Sequence, residues 1–202
     1  RNVKVALVCA GIVLLADRLS KDWVWANLRN QAPRPLIKGV FHLDFAFNTG
    51  SAFGLAAGQP WARAVFSFFA LAVILALFVA LWRIRPRNLL AALGVGLSAG
   101  GAAGNLLCRL TRVHEVRFYR LEDADFSDFI EFAPRVAEAF TSRPVMIEVP
   151  RRGVVDFLVF FIGPHRRWPA FNLADIALTV GALCLIVWVW REDEDVFTPG
   201  DS

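Results

Sequence analysis

Long apolar runs separated by charged blocks dominate the hydrophobic pattern of this chain. Residues 62–82 hold a charge only at Arg63, and residues 89–108 hold none. A third run, 171–190, contains a single acid, Asp175. A helix needs about 20 mainly apolar residues to cross the hydrocarbon core of a bilayer. The pattern therefore predicts membrane-spanning helices at these three positions.

The first apolar run, Val5 to Ala16, continues without a break into a charged segment. It resembles a signal-peptide core, but no small-residue cleavage site follows it. From Asp17 to Leu28 there is no Gly or Pro to end a helix. We predict one long helix over 3–28, a fourth span whose outer half carries charge. Because the first residue is not Met, we expect the natural start to lie upstream.

The segment 29–61 is predicted to form a short sheet at the membrane surface. Pro33 and Pro35 exclude a helix there. From Phe41 to Phe45, apolar residues alternate with polar ones, which is the period-two pattern of a strand. Asn and Gly residues then interrupt the pattern.

The segment 109–170 is the main extramembrane region. Its stretch 115–148 is net acidic, so we expect it to be solvated. Within it the pattern favours a short amphipathic helix at 134–140 and a strand at 145–149. The predicted class is an all-α integral membrane protein, in one domain over 1–202, with four transmembrane helices and a small extracytoplasmic β-rich region.

Composition and charge agree with a membrane protein and predict its orientation. Of 202 residues, 56% are hydrophobic and 20% are charged, whereas an average soluble domain is less apolar and more charged. The net charge of +4 comes from Arg residues beside apolar runs, which suits membrane anchoring, so no nucleic-acid partner is expected. An even number of spans and the basic loop Arg83 to Arg87 place both termini in the cytoplasm.

The sequence shows no pattern typical of a metal site or a disulfide framework. The Cys residues are 3 in number, and Cys9 and Cys184 lie inside apolar runs, where we expect them to act as small hydrophobic residues. No two His residues have metal-ligand spacing. We therefore predict no metal.

Two acids in apolar surroundings are the candidates for chemistry. Asp175 lies near the start of the last span, and Asp156 has apolar neighbours on both sides. Ionisable groups in such segments are costly and mark functional sites. Two carboxyl groups brought together there cannot both ionise easily, so one acts as acid and the other as base on a water. On spacing alone, separate structural roles stay equally open, with Asp175 capping a helix and Asp156 ending a strand.

Four sequence blocks, in order, carry a resemblance to a known family. They are Asp17 to Lys21, Phe47 to Gly54, Gly100 to Arg109, and Val154 to Phe157 followed by Phe171 to Asp175. In these blocks the chain resembles bacterial lipoprotein signal peptidase, also called signal peptidase II. Together the blocks span nearly the whole chain.

The resemblance implies a four-helix membrane aspartic peptidase of the bacterial cytoplasmic (inner) membrane. Its substrates are diacylglyceryl-modified prolipoproteins, which it cuts before the lipidated Cys. Its other partners are membrane lipids and the peptide antibiotic inhibitors of the family, and a monomer is expected. No cofactor is implied, because water is the nucleophile. The catalytic aspartates fall on Asp156 and Asp175, and the polar site positions fall on Asn48, Asn105, Arg109 and Asn172.

Local roles stay open for some of these matches. Asn48 and Asn105 are also consistent with hydrogen bonds in a turn or between packed helices. For Asp17 and Lys21 we expect a structural role, because residues spaced i, i+4 on a helix can pair.

The chain departs from the family pattern in two places. Cys108 stands where the family usually has an acid, which leaves Arg109 without its familiar partner. The interval from Arg109 to Asp156 is longer than usual, which predicts an insertion over about 113–152. It contains Asp128 in a faint copy of the fourth block, but the distance from Asp156 to the last span fits the family better. We expect the insertion to cover the active site; the alternative is a solvated excursion without a role.

Two other functions stay open on the sequence. A small membrane transporter or proton relay would also use acids inside the bilayer, but transport favours acids near the midplane and repeated halves, and we see no internal repeat. A non-catalytic relative that binds peptidase substrates or inhibitors would also contain these blocks. Because both aspartates are present, the sequence does not separate it from an active enzyme.

Overall fold

The computed structural model contains both helices and strands and describes residues 2–49, 60–84, 88–118, 147–162 and 166–197. The helices in these ranges are α1 (Asn2–Asn27), α2 (Pro60–Ile84), α3 (Leu89–Thr111) and α4 (Leu173–Phe197). The strands are β1 (Arg34–Ile37), β2 (Phe41–Asn48), β3 (Val113–Phe118), β4 (Ile147–Arg152), β5 (Val154–Ile162) and β6 (Arg166–Arg167).

Helix α3 lies at the centre of the helical layer and contacts α1, α2 and α4. Its small residues allow this close packing. A Cβ atom added at Gly96 would lie 2.6 Å from the carbonyl oxygen of Ala6 in α1. A Cβ atom at Gly101 would lie 2.5 Å from the carbonyl oxygen of Ala174 in α4. The glycines therefore set how near α1 and α4 each approach α3.

Helices occupy the positions of all the predicted spans, but their apolar character differs. Among the described residues, the segments Leu89–Thr111 and Leu173–Arg191 are long and apolar enough to cross a membrane. The first is largely buried inside the protein, and the second is largely exposed. Membrane crossing stays a prediction for all four helices.

The β-structure is more extensive than the sequence predicted. Strands β1, β2, β5 and β6 form one antiparallel sheet in that order. Strand β5 was considered only in the alternative that Asp156 ends a strand, whereas Asp156 lies near its beginning. Its full length was missed because its first half is buried and shows no alternation of apolar and polar residues. The class all-α is therefore too narrow, since helices and a sheet build the protein together.

A hydrophobic core joins this sheet to the helices. Val24 and Leu28 at the end of α1 and Cys108 near the end of α3 pack against Val155 and Phe157 of β5. This core fixes the position of β5 against α1 and α3. It also explains Cys108, which is buried among apolar side chains.

Strands β3 and β4 form a separate antiparallel pair at the two ends of the predicted insertion. Their register runs from Val113 opposite Arg152 to Phe118 opposite Ile147. Strand β4 overlaps the strand predicted at 145–149. The helix predicted at 134–140 and the alternative acid Asp128 lie outside the described residues.

Candidate active site

The two candidate acids lie on neighbouring elements. Asp156 is in the buried half of β5, and Asp175 is in the first turn of α4. The chain returns to β5 just before α4, where the amides of Phe157 and Leu158 both donate to the carbonyl of Phe171 at 2.9 Å. This pairing brings the start of α4 beside Asp156.

Asn172 joins the two acids. Its Nδ2 donates to Oδ1 of Asp156 at 2.6 Å, and its backbone N–H donates to Oδ2 of Asp175 at 3.0 Å. The Asp175 N–H donates back to Oδ1 of Asn172 at 3.1 Å. This reciprocal arrangement is a capping box at the start of α4. The capping role considered for Asp175 is therefore present, and it coexists with a position in the site.

Asp156 is a buried carboxyl group that accepts two amide hydrogen bonds. Besides Asn172, Nδ2 of Asn48 donates to its Oδ2 at 3.1 Å. Asn48 reaches it because the register places Ala46 opposite Asp156, and Asn48 follows two residues later on the same face. Burial, with a smaller contribution from the charge of Asp175, raises the pKa of Asp156 to about 7, and the two amide donors oppose this rise.

Asn105 of α3 connects Asp175 to Asn172 and to the buried Lys21 of α1. Its Nδ2 donates to Oδ1 of Asp175 at 2.8 Å. Its Oδ1 accepts from Nδ2 of Asn172 at 3.2 Å and from Nζ of Lys21 at 2.8 Å. The hydrogen bonds considered for Asn105 between packed helices are thus also bonds to a candidate catalytic acid.

Asp17 and Lys21 form the predicted i, i+4 pair, but the pair extends into the site. Nζ of Lys21 donates to Oδ2 of Asp17 at 2.8 Å, and both side chains are buried. Oδ1 of Asp17 accepts from the N–H of Ala174, the residue before Asp175, at 3.0 Å. The sequence expectation of a purely structural pair missed this connection. The one signal in the sequence is that both charges continue an apolar helix, which does not show what they contact.

A cavity of about 570 Å³ opens beside the acids. Its apolar wall includes Trp168, Ile176 and Val180. Ile176 and Val180 lie on α4 and remain 40% and 42% exposed, so this wall continues onto the outer surface of the helix. All the site residues predicted from the sequence line the cavity: Asn48, Asn105, Arg109, Asp156, Asn172 and Asp175.

Arg109 lines the cavity within electrostatic range of both acids. The preceding Cys108 lies in the hydrophobic core, so the departure from the family pattern at this position does not remove Arg109 from the site. The structure brings the sequence-predicted residues together, while their individual roles stay predictions.

The sequence matches one family along most of its length. A family model described as Signal peptidase (SPase) II matches residues 9–191. The lipoprotein signal peptidase of Syntrophomonas wolfei subsp. wolfei is 33% identical over 178 residues, which cover 88% of this chain and 87% of that relative. The lipoprotein signal peptidase of Halothermothrix orenii is 30% identical over 183 residues, which cover 91% of this chain and 93% of that relative.

Two solved structures of bacterial membrane enzymes share the fold. One aligns with a TM-score of 0.65 at 19% identity and covers 98% of this chain and 95% of its own. The other aligns with a TM-score of 0.58 at 20% identity and covers 92% of each chain. At these identities the likeness concerns the fold alone.

Proposed function

Since this chain belongs to the signal peptidase II family of membrane aspartic peptidases, which remove signal peptides from prolipoproteins, we propose that Asp156 and Asp175 activate the water that cleaves the precursor. The resemblance seen in the four blocks is thus confirmed at the level of the family. The observation that carries the proposal is the double contact of Asn172, which bonds both acids at the wall of one cavity.

The two acids differ in ways that suit two roles. Asp156 lies in a buried strand, and its raised pKa of about 7 favours the protonated form that a general acid requires. Asp175 lies in the first turn of α4 and accepts N–H donors on both oxygens, a geometry that suits the group that accepts the proton of the water. Asp175 takes a proton from the water as it attacks the scissile carbonyl, and Asp156 gives its proton to the leaving amine.

The cavity suits a substrate that is part peptide and part lipid. Asn48, Asn105 and Arg109 offer amide and guanidinium donors to the carbonyl groups of an extended peptide. The apolar wall of Trp168, Ile176 and Val180 suits the diacylglyceryl chains of the modified Cys. Peptide antibiotic inhibitors would bind in the same cavity.

We also propose the arrangement in the membrane. The protein is a monomeric, multi-pass protein of the bacterial inner membrane with both termini in the cytoplasm. The basic loop Arg83 to Arg87 supports this orientation. The sheet then lies on the outer side, where lipid-modified precursors present their cleavage site.

Cleavage of a matched precursor pair tests this function. The purified protein in detergent micelles should cleave a diacylglyceryl-modified precursor before its lipidated Cys, because the apolar wall binds the acyl chains. The identical precursor without lipid should be cleaved poorly. Equal cleavage of both forms would contradict the substrate assignment, and cleavage of neither by a folded protein would favour a non-catalytic relative.

A further inference from the structure

Lys21 carries a buried cation that the proposed mechanism does not use. Lys21 lies on α1 and is 1% exposed. It is not among the described residues that line the cavity. Its Nζ donates to Asp17 and to Asn105, each at 2.8 Å. A buried ion pair adds little net stability, because removing both charges from water offsets their attraction. The burial of this pair therefore points to a role other than stability.

The contact with Lys21 fixes the orientation of the Asn105 amide. An ammonium group has only hydrogen-bond donors, so the group that faces it must be the amide oxygen. The amide nitrogen then points to the opposite side, where it donates to Oδ1 of Asp175 at 2.8 Å. A cation on the oxygen also polarises the amide and strengthens the N–H donor. Lys21 thus determines that Asn105 presents its N–H donor, and not its oxygen, to Asp175.

Asp17 holds this cation and the start of α4 at the same time. Its Oδ2 bonds Lys21, and its Oδ1 accepts from the N–H of Ala174 at 3.0 Å. The packing is close, since a Cβ atom at Gly104 would lie 2.5 Å from Oδ2 of Asp17. One ion pair on α1 therefore connects Asn105 of α3 to the turn that carries Asp175.

We propose that Lys21, held by Asp17, is a positioning residue of the peptidase that orients Asn105 to donate to Asp175. The inference rests on the proposed function, because it assumes that Asp175 acts in cleavage. Lys21 acts on the acid through Asn105 and lies outside the cavity lining, so its loss should lower kcat far more than it changes KM.

The test removes both charges and keeps the volumes similar, in the double variant D17N/K21M. Hydrogen bonds to charged groups contribute enough that kcat for a lipidated precursor should fall roughly tenfold to a hundredfold, with KM within about twofold. The matched control is R18M/D22N, which removes a half-buried i, i+4 ion pair from the same helix, together with the ion pair between Asp22 and Arg112, and should keep the wild-type kcat. Unchanged kcat in D17N/K21M would overturn the proposal.

A double-mutant cycle separates positioning from general support of the fold. In an Asn105→Ala background, adding D17N/K21M should cause no further loss of kcat, because the group that Lys21 orients is already absent. A further loss equal to that in the wild-type background would overturn the proposal. If D17N/K21M does not fold, D17N/K21Q keeps a neutral donor and serves in the same cycle. Failure of both variants to fold would also contradict it, since the pair would then act through helix packing.

Cleavage by the wild-type protein distinguishes failure of the proposed peptidase function from failure of the proposed role of Lys21. Absence of cleavage by the folded wild-type protein would remove the proposed function itself. Normal cleavage by the wild type together with normal cleavage by D17N/K21M would leave the function intact and remove only the role of Lys21.

Discussion

Three asparagine side chains determine the hydrogen bonding of the two acids. Asn48 and Asn172 both donate to Asp156, while Asn105 donates to Asp175. An amide group can donate without carrying charge, so it stabilises a carboxylate and still tolerates its protonation. This is the property that a pair of acids needs when one of them must hold a proton.

The raised pKa of Asp156 predicts a pH dependence of stability. Its folded-state pKa of about 7 lies above the ordinary aspartate value of 3.8, so the folded protein binds this proton more tightly than the unfolded chain. The stabilisation is complete below about pH 4 and is lost as pH rises to about 7, a change of about 4 kcal/mol at most. Thermal unfolding of the wild type and of Asp156→Asn, in detergent at pH 4 to 8, checks this.

The Asp156→Asn variant should gain stability relative to the wild type as pH rises, because it has no carboxyl group at position 156 to ionise. Asp44→Asn is a suitable control, because Asp44 lies on the same sheet in an exposed ion pair with Arg167. A constant difference between wild type and Asp156→Asn across this pH range would show that Asp156 is not a buried proton carrier.

The site residues could be predicted from the sequence only where they belong to one of the four sequence blocks. The blocks identified the site asparagines and both acids, which the structure places at one cavity. Asp17 and Lys21 were expected to form a structural pair only, because i, i+4 spacing says nothing about depth or about contacts with another helix. Its bond to Asn105 joins residues far apart in sequence, and no local pattern encodes such a contact.

Among the elements, the spacing between α3 and α4 determines where Asp175 lies. The prediction at this scale is that Gly101→Ala lowers both stability and cleavage. The added Cβ atom would meet the carbonyl oxygen of Ala174 at 2.5 Å, so α4 must move away from Asn105. Overpacking of this kind costs roughly 1–3 kcal/mol. Precursor cleavage and the thermal unfolding midpoint measure the effect.

Gly11→Ala provides the matched control for that substitution. Gly11 lies on α1, where an added Cβ atom would meet nothing within 4 Å. Ala is the better helix former, so this variant should be neutral or slightly more stable. Equal behaviour of the two variants would mean that α3 and α4 do not need this close approach.

The elements were predictable to different degrees, for physical reasons. Long apolar runs predicted helices, because a span must satisfy its own backbone hydrogen bonds. Strand β5 escaped prediction because both of its faces are covered over the first half, so it has no alternating pattern. Strand β2 kept its alternation from Phe41 to Phe45 and was found.

At the scale of the whole molecule, the predicted insertion is joined to the site by paired strands. Strand β3 follows α3 directly, and β4 leads through Gly153 into β5 and Asp156. The Gly153 N–H donates to the carbonyl of Arg112 at 3.3 Å, which closes the base of this pair. Changes in 119–146 need not disturb the catalytic core if the paired strands are kept.

We therefore predict that replacing 119–146 by a short turn between Phe118 and Ile147 leaves a folded and active peptidase. Segments of this kind often control access and selectivity and contribute little to the chemistry. Relative cleavage rates across a panel of lipidated precursors should change, while cleavage itself persists. Unchanged selectivity would favour an excursion without a role, and complete loss of activity in a folded variant would mean that the segment supplies part of the site.

The most direct measurement compares cleavage of one lipidated precursor by the wild type, Asp156→Asn and Asp175→Asn. Each variant should lose cleavage by roughly a hundredfold to ten-thousandfold, because general acid and base each contribute on that scale. Both should stay folded in detergent, and Asp44→Asn should cleave like the wild type. Near-normal cleavage by either Asp156→Asn or Asp175→Asn would contradict a water-activating pair.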